Sequence, residues 1–315
     1  MDKIKIAIVG AGGVGGYYGG LLAHHGHRVS MIARGAHLAA MRANGLQVRS
    51  VHGDFSVNTV QATDRPEDVG PVDWVLFCVK ATDTEVAAEA MRPMVGPRTT
   101  VASLQNGVDA AQRIGRIVGM EHTVGGATWI ASAVEAPGTI RQLSGFRRVV
   151  LGELDGEATS RVRAMVAALQ ACGVTAEIST DIRRVLWTKM VFIAPFSAVG
   201  SLTRLPVGRY RHIPETRWLM VNLMHEVAAV ARADGAALDD DVVSRTLELL
   251  DSTAAEVKPS MQRDVESGRP SEVESLVGVI GRLGRERGVP TPAMDLVYAA
   301  LRPAALQSAH MPSGR

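Results

Sequence analysis

The chain has little cysteine, almost no net charge and no long uninterrupted apolar run, and each shortage excludes a class of protein. Cys78 and Cys172 are the two cysteines among 315 residues. Two thiols so far apart, both in apolar surroundings, make neither a disulfide framework nor a cysteine-rich metal site, so no metal and a reducing, cytoplasmic setting are expected. Thirty-four Lys and Arg against thirty-two Asp and Glu leave a net charge of +2. That balance offers no basic field to nucleic acid or to an anionic membrane. No run approaches the roughly eighteen apolar residues of a membrane span, and the opening MDKIKIAIVG lacks a signal peptide's cleavage pattern. What is present is 46% hydrophobic and 21% charged, enough for two globular domains with a full core each. Glycine is the residue in mild excess, with 32 copies, and their positions carry more than their number.

In the first half, short β-rich runs at 4–9, 28–32, 74–79 and 99–103 alternate with helical stretches. This pattern predicts βαβ units and a parallel sheet covered on both faces. Residues 123–134, 139–143 and 147–151 read as further strands extending that sheet, 158–171 as a helix and 174–178 as a last strand. After Asp181 strand signals nearly vanish, and 181–202, 214–234, 239–252, 271–287 and 292–302 all show helical spacing. The expected architecture is an α/β domain over residues 1–180 followed by an all-helical domain over 181–315, with the last dozen residues a loose tail. No internal repeat is present.

The run Ile4 to Val9 leads directly into Gly10-Ala11-Gly12-Gly13-Val14-Gly15 and then a helical stretch. This is GxGxxG in its required strand-loop-helix context. Gly10 allows the tight turn, Gly12 lets a pyrophosphate approach, and Gly15 permits close helix packing, with phosphate charge on the helix N-terminus. The alternative is a glycine-rich turn that binds nothing. NAD sites carry an acid at the end of the second strand for the ribose hydroxyls. Here no acid occurs from Lys3 through Gly53, and Ala33-Arg34-Gly35 stands at that place. A guanidinium there suits a 2′-phosphate, so NADP(H) is expected over NAD, against the alternative of a solvated surface arginine.

Ligands of open parallel sheets bind beyond the carboxyl ends of the strands. Lys80 follows the run 75–79 and Asn106-Gly107 the run 101–105, so both face the expected nicotinamide and substrate. A solvated lysine and a plain Asn-Gly turn are the competing readings. In the helical half, Lys189 falls within a stripe of Ile182, Val185, Leu186, Met190, Ile193 and Phe196. Burial there would lower its pKa and suit a proton donor near neutral pH, unless the side chain snorkels to water. Pro195 should kink or break that helix near Val191. Ser271 and Glu274 form a capping-box pattern, which makes Glu272 either a first-turn acid or a functional one. Ser260 either caps the next helix or donates to a ligand carboxylate.

Together these residues resemble the ketopantoate reductase (2-dehydropantoate 2-reductase) family over nearly the whole chain. The resemblance rests on the glycine loop, Arg34, Phe77-Cys78-Val79-Lys80, Gln105-Asn106-Gly107, Trp187-Thr188-Lys189 and Ser260-Met261-Gln262-Arg263-Asp264 leading to Glu272. It implies a Rossmann domain followed by a helical domain similar to that of 6-phosphogluconate dehydrogenase, with the active site in the cleft between them. It further implies Lys189 as the acid that protonates the carbonyl oxygen, and Lys80, Asn106 and Glu272 as contacts to NADPH and substrate. Ser260 matches the family's substrate-carboxylate contact. The implied activity is NADPH-dependent reduction of a small 2-oxo acid, ketopantoate to pantoate in pantothenate biosynthesis. Where the family has asparagines that hold ketopantoate, this chain has Ile193, Ser197 and, by a looser alignment, Val207. Lost donors of that kind weaken binding by several kcal/mol if nothing replaces them. A less polar 2-oxo acid is therefore a second reading, and a non-catalytic NADP-binding sensor a third. The apolar helical half leaves room for a homodimer contact.

Overall fold

The computed structural model describes residues 3–310 and divides into two compact units, Met1–Ile182 and Arg183–Arg315. In chain order the first unit contains β1 (Lys5–Val9), α1 (Gly13–His24), β2 (Arg28–Ile32), α2 (Gly35–Asn44), β3 (Leu46–Arg49), β4 (Phe55–Val57), β5 (Gln61–Thr63) and β6 (Trp74–Phe77). Then come α3 (Thr84–Ala90), β7 (Thr100–Ser103), α4 (Ala110–Val118), β8 (Thr123–Trp129), β9 (Ser132–Ala136), β10 (Thr139–Gln142), β11 (Arg148–Gly152), α5 (Ser160–Ala171) and β12 (Thr175–Ile178). The main sheet has eight strands in the order β12-β11-β8-β7-β6-β1-β2-β5. It is parallel from β5 to β8, β11 runs antiparallel to β8, and β12 is again parallel to β11.

Strand alternation assigns the two faces. Ile6 and Ile8 of β1 enter one core with Tyr18, Met31 and Leu169, whereas Ala7 and Val9 enter the other with Phe77, Ala88 and Ile114. Burial on both faces is why these strands read as unbroken apolar runs.

The expectation that every strand after residue 123 extends this sheet is only half met. The run 123–134 stops at Trp129, and β9 and β10 pair with β3 and β4 in a separate four-stranded sheet, ordered β4-β3-β10-β9. The cause lies in α1, which is apolar on every side and so must be covered twice. A Cβ at Gly19 would stand 2.5 Å from Ile8 Cγ1 of the main sheet, and one at Gly16 would stand 2.7 Å from Ile140 Cδ1 of the small sheet. The helix thus lies between two sheets, with glycines on both contact faces. Strand periodicity alone does not say which sheet a strand joins.

The second unit is helical. It holds α6 (Ile182–Thr203, whose first residue closes the first unit), α7 (Pro214–Ala233), α8 (Val242–Ser252), α9 (Ser260–Glu266), α10 (Val279–Arg287) and α11 (Pro292–His310). The α6 helix continues through Pro195, so the expected break is absent. Proline removes one backbone donor, and dense burial over residues 194–201 holds the helix together despite that loss. Contrary to the sequence expectation, α6 is long and apolar enough, by length and composition, to cross a membrane; most of its apolar window is buried within the protein. Polar residues at 188 and 189 interrupt the run without lowering its average enough. The tail expected over the last dozen residues is helical as far as His310, and residues 311–315 lie outside those described.

Two carboxylates tie this bundle. Glu226 of α7 accepts the amides of Ala293 and Met294 at 2.8 Å each, satisfying the otherwise unpaired start of α11. Asp234, where α7 ends, accepts Trp187 Nε1 at 3.1 Å and the Arg287 guanidinium at 3.0 Å.

Alanine in a helix interior ordinarily stabilises relative to glycine by about 1 kcal/mol. Gly15 should invert that sign, because its Cβ would collide with the Gly10 carbonyl oxygen, a backbone atom that cannot rotate away, and would lie 2.8 Å from Ile8 Cγ2. Gly15→Ala is expected to cost about 1–3 kcal/mol in urea unfolding.

Candidate active site

The glycine loop leaves the C-terminal end of β1 where the strand order reverses, between β2 on one side and β6 on the other. Gly10 adopts φ +93°, and a Cβ there would lie 2.8 Å from the Val79 amide nitrogen. Only glycine fits both conditions. The amides of Gly10 and Ala11 donate to the Ile32 carbonyl at 3.2 and 3.1 Å, which ties the loop to the end of β2. Gly13 presses on β9, since its Cβ would stand 2.5 Å from the Ser132 oxygen, and Val14 packs at the edge of the larger core. Gly12 is the contrast: a Cβ there would meet nothing within 4 Å. No side chain caps α1 and no acid lies in its first turn. An open glycine at an uncapped helix start fits a dinucleotide pyrophosphate in both shape and charge.

Arg34 lies two residues beyond the Ile32 carbonyl that holds the loop, is solvent-exposed, and stands at the cap position of α2. Lys80 is exposed just after β6, and Asn106 is half-buried just after β7. A buried network the sequence reading missed holds these two strand ends together. Gln105 Nε2 donates to the Val79 carbonyl at 3.0 Å and to Thr84 Oγ1 at 2.9 Å, and Thr84 in turn donates to the Ala81 carbonyl. Arg113 of α4 also reaches the Ala81 carbonyl at 3.0 Å while gripping Glu85 with two bonds of 2.7 Å. Gln105 belongs to the Gln105-Asn106-Gly107 run, but nothing local tells that its carboxamide turns toward the neighbouring strand. Cys78 packs against Gly10 and Gly15, and burial there pushes its thiol up to about 12, which disfavours the nucleophilic thiolate.

In the second unit, Lys189 is partly buried on the first half of α6. Of its stripe, Ile182, Met190 and Phe196 are buried at 2%, 1% and 4% exposed while Val185, Leu186 and Ile193 are half-buried; Trp187, Val191 and Ala194, all at most 1% exposed, bury the opposite face as well. Burial still lowers the Lys189 pKa to about 8, and the charge of Glu272 works in the other direction.

Glu272 is itself buried, at 9% exposed. The capping box expected around it does not form. Ser271 Oγ is buried with no hydrogen-bond partner, and Glu274 instead accepts the Tyr298 hydroxyl at 2.6 Å. Directly after it, Glu274–Gly278 forms a π-helical turn leading into α10. Such widened turns are costly and concentrate at functional sites. Ser260 is the exposed first residue of α9, with Pro259 at the cap position, so it does not cap the helix. Pro259 and Gln262 pack on Gly200, which sets the start of α9 beside the C-terminal half of α6. Ser197 is buried with its hydroxyl unpartnered, and Val207 is fully buried. Among the described residues no cluster of His, Cys, Asp or Glu could hold a metal ion.

Comparison with known proteins places both units. The family model described as ketopantoate reductase PanE/ApbA matches residues 6–156, and its C-terminal counterpart matches residues 181–305. The 2-dehydropantoate 2-reductase of Mesorhizobium japonicum is 33% identical, over 96% of this chain and 98% of that protein. That of Caulobacter vibrioides is 32% identical, over 96% and 99%. A crystal structure of a PanE/ApbA family ketopantoate reductase from Ralstonia eutropha JMP134 superposes with a TM-score of 0.90 at 35% identity, covering 98% of this chain and 100% of that one. D-mandelate dehydrogenase with NADH and anilino(oxo)acetate shares the fold at a TM-score of 0.88 and 23% identity, covering 97% and 99%. With a Rossmann-type first unit, a helical second unit and both family models matched, this chain belongs to the ketopantoate reductase family, NAD(P)-dependent oxidoreductases that act on a CH–OH group.

Proposed function

We propose that this enzyme reduces a small 2-oxo acid to the 2-hydroxy acid with NADPH, ketopantoate being the first substrate to test. The observation that carries the reading is Lys189, an amine held near a pKa of about 8 by burial and faced by the charge of Glu272. When bound, the dinucleotide supplies the hydride that goes to the substrate's carbonyl carbon. Lys189 stabilises the negative charge that develops on the carbonyl oxygen and then gives that oxygen a proton. Glu272 keeps the amine protonated more often than burial alone would allow. In the second unit Ser260 offers a donor to the substrate's carboxylate; in the first, Asn106 offers a donor and an acceptor, and Lys80 a cation to carboxylate or ribose. Arg34 supports NADPH over NADH, since a guanidinium occupies the place where an NAD site has an acid.

A second reading keeps the chemistry and changes the acid. Ile193 and the fully buried Val207 put hydrocarbon where the family resemblance has carboxamides, which favours a less polar 2-oxo acid. Steady-state comparison of ketopantoate with apolar 2-oxo acids separates the two: a kcat/KM clearly higher for ketopantoate supports the first reading, and the reverse order the second.

Lys189→Ala is expected to lower kcat about 10²–10⁴-fold with NADPH affinity unchanged, measured by stopped-flow turnover and fluorescence titration. Because the acid must be protonated, kcat/KM for reduction should fall as pH rises through about 8. Glu272 raises the Lys189 pKa, so Glu272→Gln should move that alkaline limb to lower pH; an unmoved limb would assign it to another group. Arg34→Ala should raise KM for NADPH about tenfold or more, as expected for a lost charge-assisted contact, and leave KM for NADH nearly unchanged.

A further inference from the structure

His37 joins three elements of the first unit. It lies in the first turn of α2, with Nδ1 3.0 Å from the Gly138 amide nitrogen and Nε2 2.9 Å from the Ala11 carbonyl oxygen. An amide N–H can only donate, so Nδ1 carries no proton. The ring proton is therefore on Nε2 and is donated to Ala11. Both ring nitrogens are used within the protein, which leaves neither for a ligand or a proton transfer. Burial, the larger influence, keeps the imidazole below its ordinary range although the Ala11 carbonyl pulls upward, in accord with a neutral ring.

The anchor at Gly138 is firm. Its carbonyl accepts the Gln47 amide of β3 at 2.9 Å, its φ is +76°, and a Cβ there would stand 3.1 Å from Ala40 Cβ of α2. The imidazole thus hangs from the β9–β10 hairpin of the small sheet.

The other end is the glycine loop. Ala11 donates its own amide to Ile32 at 3.1 Å and gives its carbonyl to His37, so its backbone is held on both sides. The Ala11–Gly12 peptide is trans, as are all peptides among the described residues. In a planar trans unit the C=O and the following N–H point in opposite directions. Holding the Ala11 carbonyl on His37 therefore turns the Gly12 N–H away from the imidazole, at the residue whose Cβ position is open.

We propose that His37 is a positioning residue for cofactor binding, which holds the Ala11–Gly12 peptide so that the Gly12 amide is presented to the diphosphate of the dinucleotide. The proposal rests on the reading of the glycine loop as an NADP(H) site. It also gives the small sheet a task, as the buttress from which that peptide is oriented.

The test compares NADP⁺ affinity by calorimetry, together with kcat and KM for NADPH, in the full-length enzyme and in His37→Ala, His37→Gln and His37→Asn. Glutamine places an amide donor near the Nε2 position and can still serve Ala11. Asparagine can serve the Gly138 amide but falls short of Ala11. Loss of one oriented contact should weaken NADP⁺ binding about tenfold in His37→Ala and His37→Asn, raise KM for NADPH in step and leave kcat at saturation unchanged. His37→Gln should restore most of the affinity. Variants that lose thermal stability yet bind NADP⁺ as the parent does would overturn the proposal, as would equal affinities for His37→Gln and His37→Asn. Should His37→Ala fail to fold, the Gln and Asn pair still decides. A parent enzyme that binds neither NADP⁺ nor NADPH would overturn the cofactor reading itself.

Discussion

The first unit depends on how closely one helix backbone can approach its neighbours. Gly15 and Gly19 bring α1 down on β1 and β2, while Gly16 and Gly20 let Ile140, Leu46 and Val48 of the small sheet close over the opposite side. Side chains on either face would lift the helix off a sheet, and the start of α1 would move with it. The same nearness keeps Gly10 against the Val79 amide and Gly13 against Ser132. Dense glycine in this stretch is thus a packing requirement first, and the open position at Gly12 is what remains where nothing packs. Conformational freedom of the unfolded chain makes each such glycine costly, a cost that close-packed burial of Tyr17, Tyr18, Leu21 and Leu22 offsets.

The second unit presents a different constraint, electrostatic rather than steric. Removing an ammonium from water costs free energy unless a counter-charge stands near; at Lys189 burial is the larger effect and lowers the pKa to about 8, with the charge of Glu272 opposing it. Burial alone would drive the amine toward neutrality, and an exposed ion pair would hold it near its ordinary value, too reluctant to give up a proton. Bringing Glu272 to Lys189 joins residues 83 positions apart in the chain. The π-helical turn immediately after Glu272 widens the chain there, a departure from regular helix of the kind that persists where a site needs it.

Much of this was legible in advance. Alternation of apolar runs with helical stretches is a local property, because strand and helix periods follow from backbone geometry. The glycine loop is a short contiguous signal whose strand-loop-helix context is also contiguous, and the acid-free stretch around Arg34 can be counted. Other expectations failed because they concern partners. Ser271 and Glu274 have the spacing of a capping box, yet Glu274 is drawn to Tyr298, 24 residues away. Pro195 should break a helix in isolation, but surrounding burial outweighs one missing hydrogen bond. The strands β9 and β10 look like any others until the uncovered face of α1 claims them.

Sequence by itself determined the fold class, the order of the units and the residues able to do chemistry, since each is written in period, spacing and side-chain type. Tertiary structure alone decided which of them act on one another. It set the Lys189 pKa through burial and Glu272, joined the ends of β6 and β7 through Gln105 and Arg113, and tied His37 to both Ala11 and Gly138. Those are relations between residues distant along the chain, fixed by hydrogen-bond direction and desolvation, which have no counterpart in a linear pattern.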